Sequence, residues 1–364
     1  MNDAATDALA LLREDLRDFA GYRSARCERA AGSAWLNANE AAHANASDAE
    51  GRLRRYPPRE SEALQSALAA LYGIPPAHLL IGRGSDEAID LIVRAFCRPG
   101  LDAVLVTPPV FGMYAVCARL QRAPLVEVPL REHAGEFEVD LDHVAACAER
   151  ERVRVVFLCS PGNPAGGMLA AADLRALARR LARRAMLVLD EAYIEYADSA
   201  SMLECGALES NLLVLRTLSK AHALAAARIG CAIGDPGVIA ALRRCQAPYP
   251  LPEPSARCAL AALAPAVLTA TRRRIAETRA ERTRLARELA RTPGVRHVHA
   301  SQANFLLVRF DDADAALARL LAAGVVVRDV RAMPRLGDAV RITIGTPVEN
   351  DAVLDALRAR TEAA

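Results

Sequence analysis

Short apolar runs rich in leucine and valine recur between residues 60 and 240, and longer stretches with helical spacing lie between them. The runs are Leu79-Leu80-Ile81, Ala103 to Val106, Val153 to Leu158, Met186 to Leu189 and Leu212 to Leu215. Near-continuous apolarity marks strands covered on both faces. Helical stretches such as Ser85 to Cys97 and Ala171 to Arg183 supply the cover. The alternation predicts a mostly parallel sheet sandwiched by helices. Ligands of such sheets bind beyond the carboxyl ends of strands, so the residues after each run are where chemistry is expected.

The rhythm breaks at Ala247-Pro248-Tyr249-Pro250-Leu251-Pro252-Glu253-Pro254, which reads as a domain junction. A long arginine-rich helix follows, from about Ala266 to Arg291. Strands are expected over Asn304 to Phe310, Val325 to Arg328 and Ala339 to Ile344, with a helix between the first two and a helical end from about Asn350. This second pattern predicts a smaller α+β unit. The expected division is an amino-terminal arm with part of the small unit (1–50), a large unit (51–250) and a small carboxy-terminal unit (251–364).

Composition narrows the class without naming a function. At 364 residues the chain can bury two sizeable cores, and 52% hydrophobic with 25% charged residues is globular. The 46 basic and 44 acidic residues are mixed along the chain, which argues against a nucleic-acid stripe or a polybasic membrane anchor. The start, Met1 to Asp7, has neither region of a signal peptide, and no apolar run reaches transmembrane length. Nine cysteines without a Cys-x-x-Cys pair fit reduced thiols in the cytoplasm, with no metal-ligand spacing.

Four segments carry candidate chemistry. Gly82-Arg83-Gly84-Ser85-Asp86-Glu87 turns from a strand into a helix, where free amides and the helix dipole favour a phosphate; by itself Ser85 or Asp86 is also an ordinary N-cap. Ser160-Pro161-Gly162-Asn163-Pro164-Ala165-Gly166-Gly167 would hold an amide in a rigid loop. Asp190, in Leu189-Asp190-Glu191-Ala192-Tyr193, could face a cationic ring nitrogen. Finally Thr217-Leu218-Ser219-Lys220 is followed by Arg228 eight residues after the lysine. Nearly all basic residues here are arginine, so a retained lysine points to a need for an amine that can lose its proton and attack a carbonyl. Thr217, Ser219 and Arg228 add donors for a phosphate. An amine beside a phosphate clamp suits pyridoxal 5'-phosphate (PLP).

The order of phosphate turn, Asn163, Asp190 27 residues on, Lys220 30 residues further, then Arg228 resembles the fold-type-I PLP aminotransferases. Trp35-Leu36-Asn37-Ala38-Asn39-Glu40, Arg55-Tyr56-Pro57, the run from Asp190 to Tyr196, Ala247 to Pro250 and Arg341-Ile342-Thr343-Ile344-Gly345-Thr346 resemble the histidinol-phosphate branch of that family. The resemblance runs from about Leu16 to Ala356. It implies an α/β fold with a mostly parallel seven-stranded sheet in the large unit, a PLP cofactor, and a homodimer whose subunits share the active site. It further implies transamination between histidinol phosphate and 2-oxoglutarate, without nucleic-acid or membrane partners.

On the same resemblance, Lys220 would bind the cofactor covalently and then move the reaction's proton, and Asp190 would pair with the ring nitrogen. Asn163 and Tyr193 would reach the ring's phenolic oxygen, and Phe111 would stack on its face. The amides of Gly84, Ser85 and Asp86, with Thr217, Ser219 and Arg228, would cradle the phosphate, joined by Tyr56 of the neighbouring subunit. Arg341 would grip the carboxylate of glutamate and, with Arg328, the phosphate of histidinol phosphate. Tyr22 and Asn39 would close the site.

Gly162, Ala165, His222, Ala41-Ala42 and Ala225-Ala226-Ala227 depart from the family pattern, which bears on packing and entrance more than on the reacting groups. A broader aromatic aminotransferase and a PLP decarboxylase of a phosphorylated amino acid therefore stay open. A nicotinamide dehydrogenase lacks its third glycine after Gly82-x-Gly84. A sensor module of a transcription regulator lacks a basic amino-terminal helix-turn-helix.

Overall fold

The structure, a computed structural model, describes residues 8–22, 32–58 and 61–359; Met1 to Asp7 and Cys27 lie outside them. The apolar runs become β1 (Leu79–Arg83), β2 (Ala103–Val106), β6 (Val153–Cys159), β7 (Met186–Asp190) and β8 (Leu212–Thr217). They belong to a seven-stranded sheet ordered β1-β9-β8-β7-β6-β2-β3, which adds β3 (Leu125–Glu127) and β9 (Ile229–Ile233). The run β3-β2-β6-β7-β8 is parallel, whereas β9 is antiparallel to both β8 and β1. A hairpin of β4 (Arg131–His133) and β5 (Glu136–Glu138) stands apart from the sheet.

Successive side chains of a strand point to opposite faces, so each strand feeds two cores. Leu105, Val156, Leu158, Leu187, Leu189, Leu212 and Val214 meet the helices Glu62–Tyr72, Leu141–Arg150, Ala171–Arg180 and Glu253–Ala262 on one side. Val104, Val155, Phe157, Val188, Leu213 and Leu215 meet Ser85–Phe96, Met113–Leu120 and Pro236–Cys245 on the other. Leu11 and Leu12 are buried in this second cluster, so this stretch of the amino-terminal arm packs on the large sheet rather than on the small one.

The helix Pro265–Leu289 leads to a four-stranded sheet ordered β10-β11-β13-β12, made of β10 (Val295–Val298), β11 (Phe305–Phe310), β12 (Arg328–Asp329) and β13 (Ala339–Thr343). Its core joins Leu285 and Leu289 to Leu306, Val308, Val340 and Ile342 under the helices Ala313–Ala322 and Pro347–Arg358. The expected strand at Val325 shrinks to the two residues of β12. Within the expected proline-rich break, the helix Glu253–Ala262 begins, with proline in its first turn where no amide is required. Among the described residues no helix is long and apolar enough to cross a membrane.

Candidate active site

Four loops at the carboxyl ends of the parallel strands, with the turn after β1, converge on one cavity. It is lined by Ser85, Asp86, Phe111, Cys159, Asn163, Asp190, Ala192, Tyr193, Thr217, Ser219, Lys220, Ala225 and Arg228. Ten of the expected cofactor residues are among them, brought together from as far apart in the chain as Ser85 and Arg228.

The phosphate end is built by backbone. Gly84, at φ 78°, is the N-cap of Ser85–Phe96 and gives no side-chain bond, so it takes the place expected of Ser85 or Asp86 and leaves the first-turn amides free. Gly230 of β9 packs against this turn so closely that a Cβ there would sit 2.3 Å from the Ser85 nitrogen. Arg228, in left-handed conformation, leans over Gly84, where a Cβ would meet its Nη2 at 2.7 Å, and donates to Asp86 Oδ2 at 2.9 Å. Thr217 Oγ1 accepts the Ser219 amide at 3.1 Å and lies 3.0 Å from the Ser219 hydroxyl. A helix N-terminus, a guanidinium and two hydroxyls thus meet, the donor set a phosphate needs. Gly230→Ala should abolish PLP retention, or folding itself, because the methyl would displace the helix start; intact PLP absorbance in the purified variant would disprove this.

The opposite end is built around Asp190, 3% exposed at the end of β7. Its Oδ2 accepts the Tyr114 hydroxyl at 2.7 Å and its Oδ1 the Ala192 amide at 3.1 Å. Burial pushes its carboxyl above the ordinary range, against the pull of those donors. Among the described residues no cation forms an ion pair with it, so a protonated ring nitrogen is the partner its surroundings call for. Sequence reasoning missed Tyr114: nothing local marks the hydroxyl of a tyrosine that is buried on a helix and stacked on Phe157 with ring centres 4.6 Å apart.

Between the two ends stands Lys220, the only lysine of the chain. Its side chain opens onto the cavity, and the residue as a whole is exposed. Burial first, then the Arg341 guanidinium, push its pKa below the ordinary lysine range, while Asp86 and Asp190 pull it back. The amine lies 5.6 Å from the centre of the Tyr193 ring. Asn163 Nδ2 donates to the Tyr193 hydroxyl at 3.4 Å, and Arg341 Nη1 donates to Asn163 Oδ1 at 2.5 Å. Arg341 comes from β13 of the small sheet and has a buried Nε with no hydrogen-bond partner. Phe111 lines the cavity, edge-on to Tyr114 at 5.6 Å.

Other expected residues lie outside the cavity wall. Tyr56 is 48% exposed and stacks on Tyr249 at 4.6 Å, Tyr22 is 61% exposed, and Asn39 is exposed with φ 54°. Arg328 is exposed but directly opposite Arg341 in the β12–β13 register. Beneath the lysine loop, Arg216 joins Glu191 at 3.4 Å and Glu195 at 2.8 Å in a buried network the sequence did not reveal.

An antiparallel strand closing a parallel sheet over an aspartate, a lysine and a phosphate cradle defines a fold-type-I PLP enzyme. Residues 31–357 match the model of the class I and II aminotransferases, and the chain belongs to that family. A histidinol-phosphate aminotransferase of Stenotrophomonas maltophilia is 58% identical over all of both chains. One of Xanthomonas axonopodis pv. citri is 57% identical over 99% of each. The crystal structure of histidinol-phosphate aminotransferase from Sinorhizobium meliloti in complex with pyridoxal-5'-phosphate is 29% identical. It superposes with a TM-score of 0.76 over 86% of this chain and 84% of that one.

Proposed function

We propose that the protein transfers the amino group of histidinol phosphate to 2-oxoglutarate, giving imidazole acetol phosphate and glutamate, a step of L-histidine biosynthesis. The observation that carries this reading is the guanidinium pair Arg341 and Arg328, cross-strand neighbours of the small sheet, of which Arg341 reaches Asn163 in the cavity wall. One donor carries a phosphate and no carboxylate, the other a carboxylate; planar forks bind both. The full-length relatives named for this reaction give it a substrate.

When bound, PLP supplies an aldehyde that accepts the amino group and a ring that draws off electrons. Lys220 Nζ, kept less basic than an ordinary lysine, would hold the aldehyde carbon and then take and return the proton at the substrate's reacting carbon. Asp190 would keep the ring nitrogen protonated, itself oriented by Tyr114 and Ala192. Asn163 and Tyr193 would hold the phenolic oxygen, and Phe111 would cover the ring. Ser85 and Asp86 amides with Thr217, Ser219 and Arg228 would anchor the phosphate.

The same reading makes the protein a cytoplasmic homodimer in which Tyr56, exposed and outside its own cavity, reaches the partner's cofactor phosphate. Tyr22 and Asn39 would close over substrate. The three-part division at residues 50 and 250 belongs to this proposal too. It is supported by the two separate sheets.

A substrate panel tests the reading. With 2-oxoglutarate as acceptor, kcat/KM for histidinol phosphate should exceed that for phenylalanine by at least about 100-fold, the discrimination that two charge-assisted bonds provide. Comparable values would establish the broader aromatic aminotransferase instead, and CO2 release without 2-oxoglutarate consumption would establish a decarboxylase.

A further inference from the structure

The β4–β5 hairpin leaves the large unit and ends on the small sheet. Its two-residue turn, Ala134-Gly135, has both residues at positive φ, 51° and 82°, the geometry that suits the right-handed twist of paired strands. Beyond it Glu136, whose side chain is partly exposed, faces the small sheet. Its carboxylate accepts the Ala300 amide at 3.1 and 3.2 Å, and it faces His297 Nε2 at 3.4 Å and His299 Nδ1 at 3.6 Å. Both ring nitrogens are buried and form no hydrogen bond, so their contacts with Glu136 are close approaches only, and the bond to Ala300 is what holds the carboxylate.

The spacing of these three groups, within 4.8 Å of one another, would also suit a divalent cation. The tautomer opposes that. Arg309 Nε donates to His299 Nε2 at 3.0 Å, so the ring's own proton sits on Nδ1, the nitrogen a metal would need. His299 is 1% exposed and burial pushes its imidazolium down to about 3, so it stays a neutral donor aimed at the hairpin. The carboxylate of Glu136 is therefore held by one backbone donor, the Ala300 amide, with the two imidazoles close beside it.

What this clasp holds is the substrate end of the site. Phe137, next to Glu136, packs in one cluster with Ala165 of the Asn163 loop and Leu307 of β11. Leu307 pairs directly with Arg341 across β11 and β13. Arg309 lies over the Phe137 ring at 5.5 Å and reaches Glu132 of the hairpin at 3.2 Å. The hairpin thus packs against the loop that carries Asn163 and the strand that pairs with Arg341.

We infer that Glu136 is a positioning residue which, by accepting the Ala300 amide beside His297 and His299, fixes Arg341 against Asn163 and so sets the enzyme's affinity for its substrate anions. This rests on the proposed role of Arg341. Removing the carboxylate frees the small sheet to shift, without touching the groups that move protons.

The test uses the full-length enzyme loaded with PLP. Glu136→Ala should raise KM for glutamate and for histidinol phosphate about five- to tenfold, the effect of losing one partly exposed hydrogen bond, with kcat and PLP absorbance within twofold of wild type. Glu136→Gln, whose amide oxygen still accepts from Ala300, should recover part of the loss. An unchanged KM overturns the inference. So does a fall in kcat and PLP absorbance matching the rise in KM, which would be general disruption. If Glu136→Ala does not fold, Glu136→Gln and His297→Gln carry the same comparison. Arg341→Lys separates the two readings: if it leaves both KM values unchanged, the fault lies with Arg341; if it raises them while the Glu136 variants do not, only the clasp fails.

Discussion

Lys220→Ala is expected to abolish transamination, with a loss in kcat of at least about 10³-fold from the proton-transferring amine alone and more from the missing covalent attachment. Because Lys220 is the chain's only lysine, the result has an unusually clean chemical control. Borohydride should fix PLP onto wild-type protein at a single side-chain amine. In the variant, the phosphate cradle of the Ser85 turn, Thr217, Ser219 and Arg228 should still retain PLP, now removable by dialysis after reduction. The fold should survive, since the lysine side chain opens onto the cavity and packs in none of the hydrophobic clusters. Near-normal turnover, or borohydride labelling that persists, would refute the role given to this amine.

Asp190→Asn should lower kcat by about 10²- to 10³-fold. Breaking a buried pair of charges costs about 3–5 kcal/mol, and each 1.4 kcal/mol is tenfold in rate. An amide beside the ring nitrogen cannot hold it protonated, so the electron-accepting capacity of the ring falls even when PLP is bound. Stability should move the other way. Burial lifts the Asp190 carboxyl above its ordinary range, so the folded chain binds that proton more tightly than the unfolded one. PLP-free wild type should therefore lose stability as pH rises from the unfolded carboxyl value through the folded one. Asp190→Asn should remove this slope, leaving PLP-free Tm at neutral pH equal to or above wild type, while PLP raises Tm less than it does in wild type. A variant with wild-type kcat, or one whose PLP-free form is markedly less stable, would show that Asp190 serves packing instead.

The two predictions draw on different kinds of information. Lys220 could be singled out from the chain alone, because a lone amine among arginines between hydroxyls is a chemical statement. The consequence for Asp190 depends on its surroundings. The chain placed it after a strand, but its lack of a cationic partner and its bond to Tyr114 exist only once β7 and the helix Met113–Leu120 are packed. The same holds for Arg341, whose buried Nε and bond to Asn163 span 178 residues.

Among the strands, Val153–Cys159 and Met186–Asp190 were legible because strands buried on both faces need apolar residues at every position. Ile229–Ile233 was not, since it carries Gly230, and that glycine answers to the backbone of Ser85 rather than to any local preference. Nor was Leu125–Glu127, a short edge strand with exposed ends. The hairpin Arg131–Glu138 is mostly polar on its own, and its meaning lies in Phe137 and Glu136 meeting the small sheet.

The amino-acid order by itself determined the layered α/β architecture, the identity of the cofactor and most of the groups that line the cavity proposed to hold it. Each of these follows from short-range pattern, strand apolarity, or residue types that only certain chemistry requires. Packing decided the rest: the reversed strand that packs on the Ser85 turn, the burial of Asp190, the charges around Lys220, and the placement of Arg341. These depend on distances between segments far apart in the chain, and solvation and charge at a site are set by its neighbours in space.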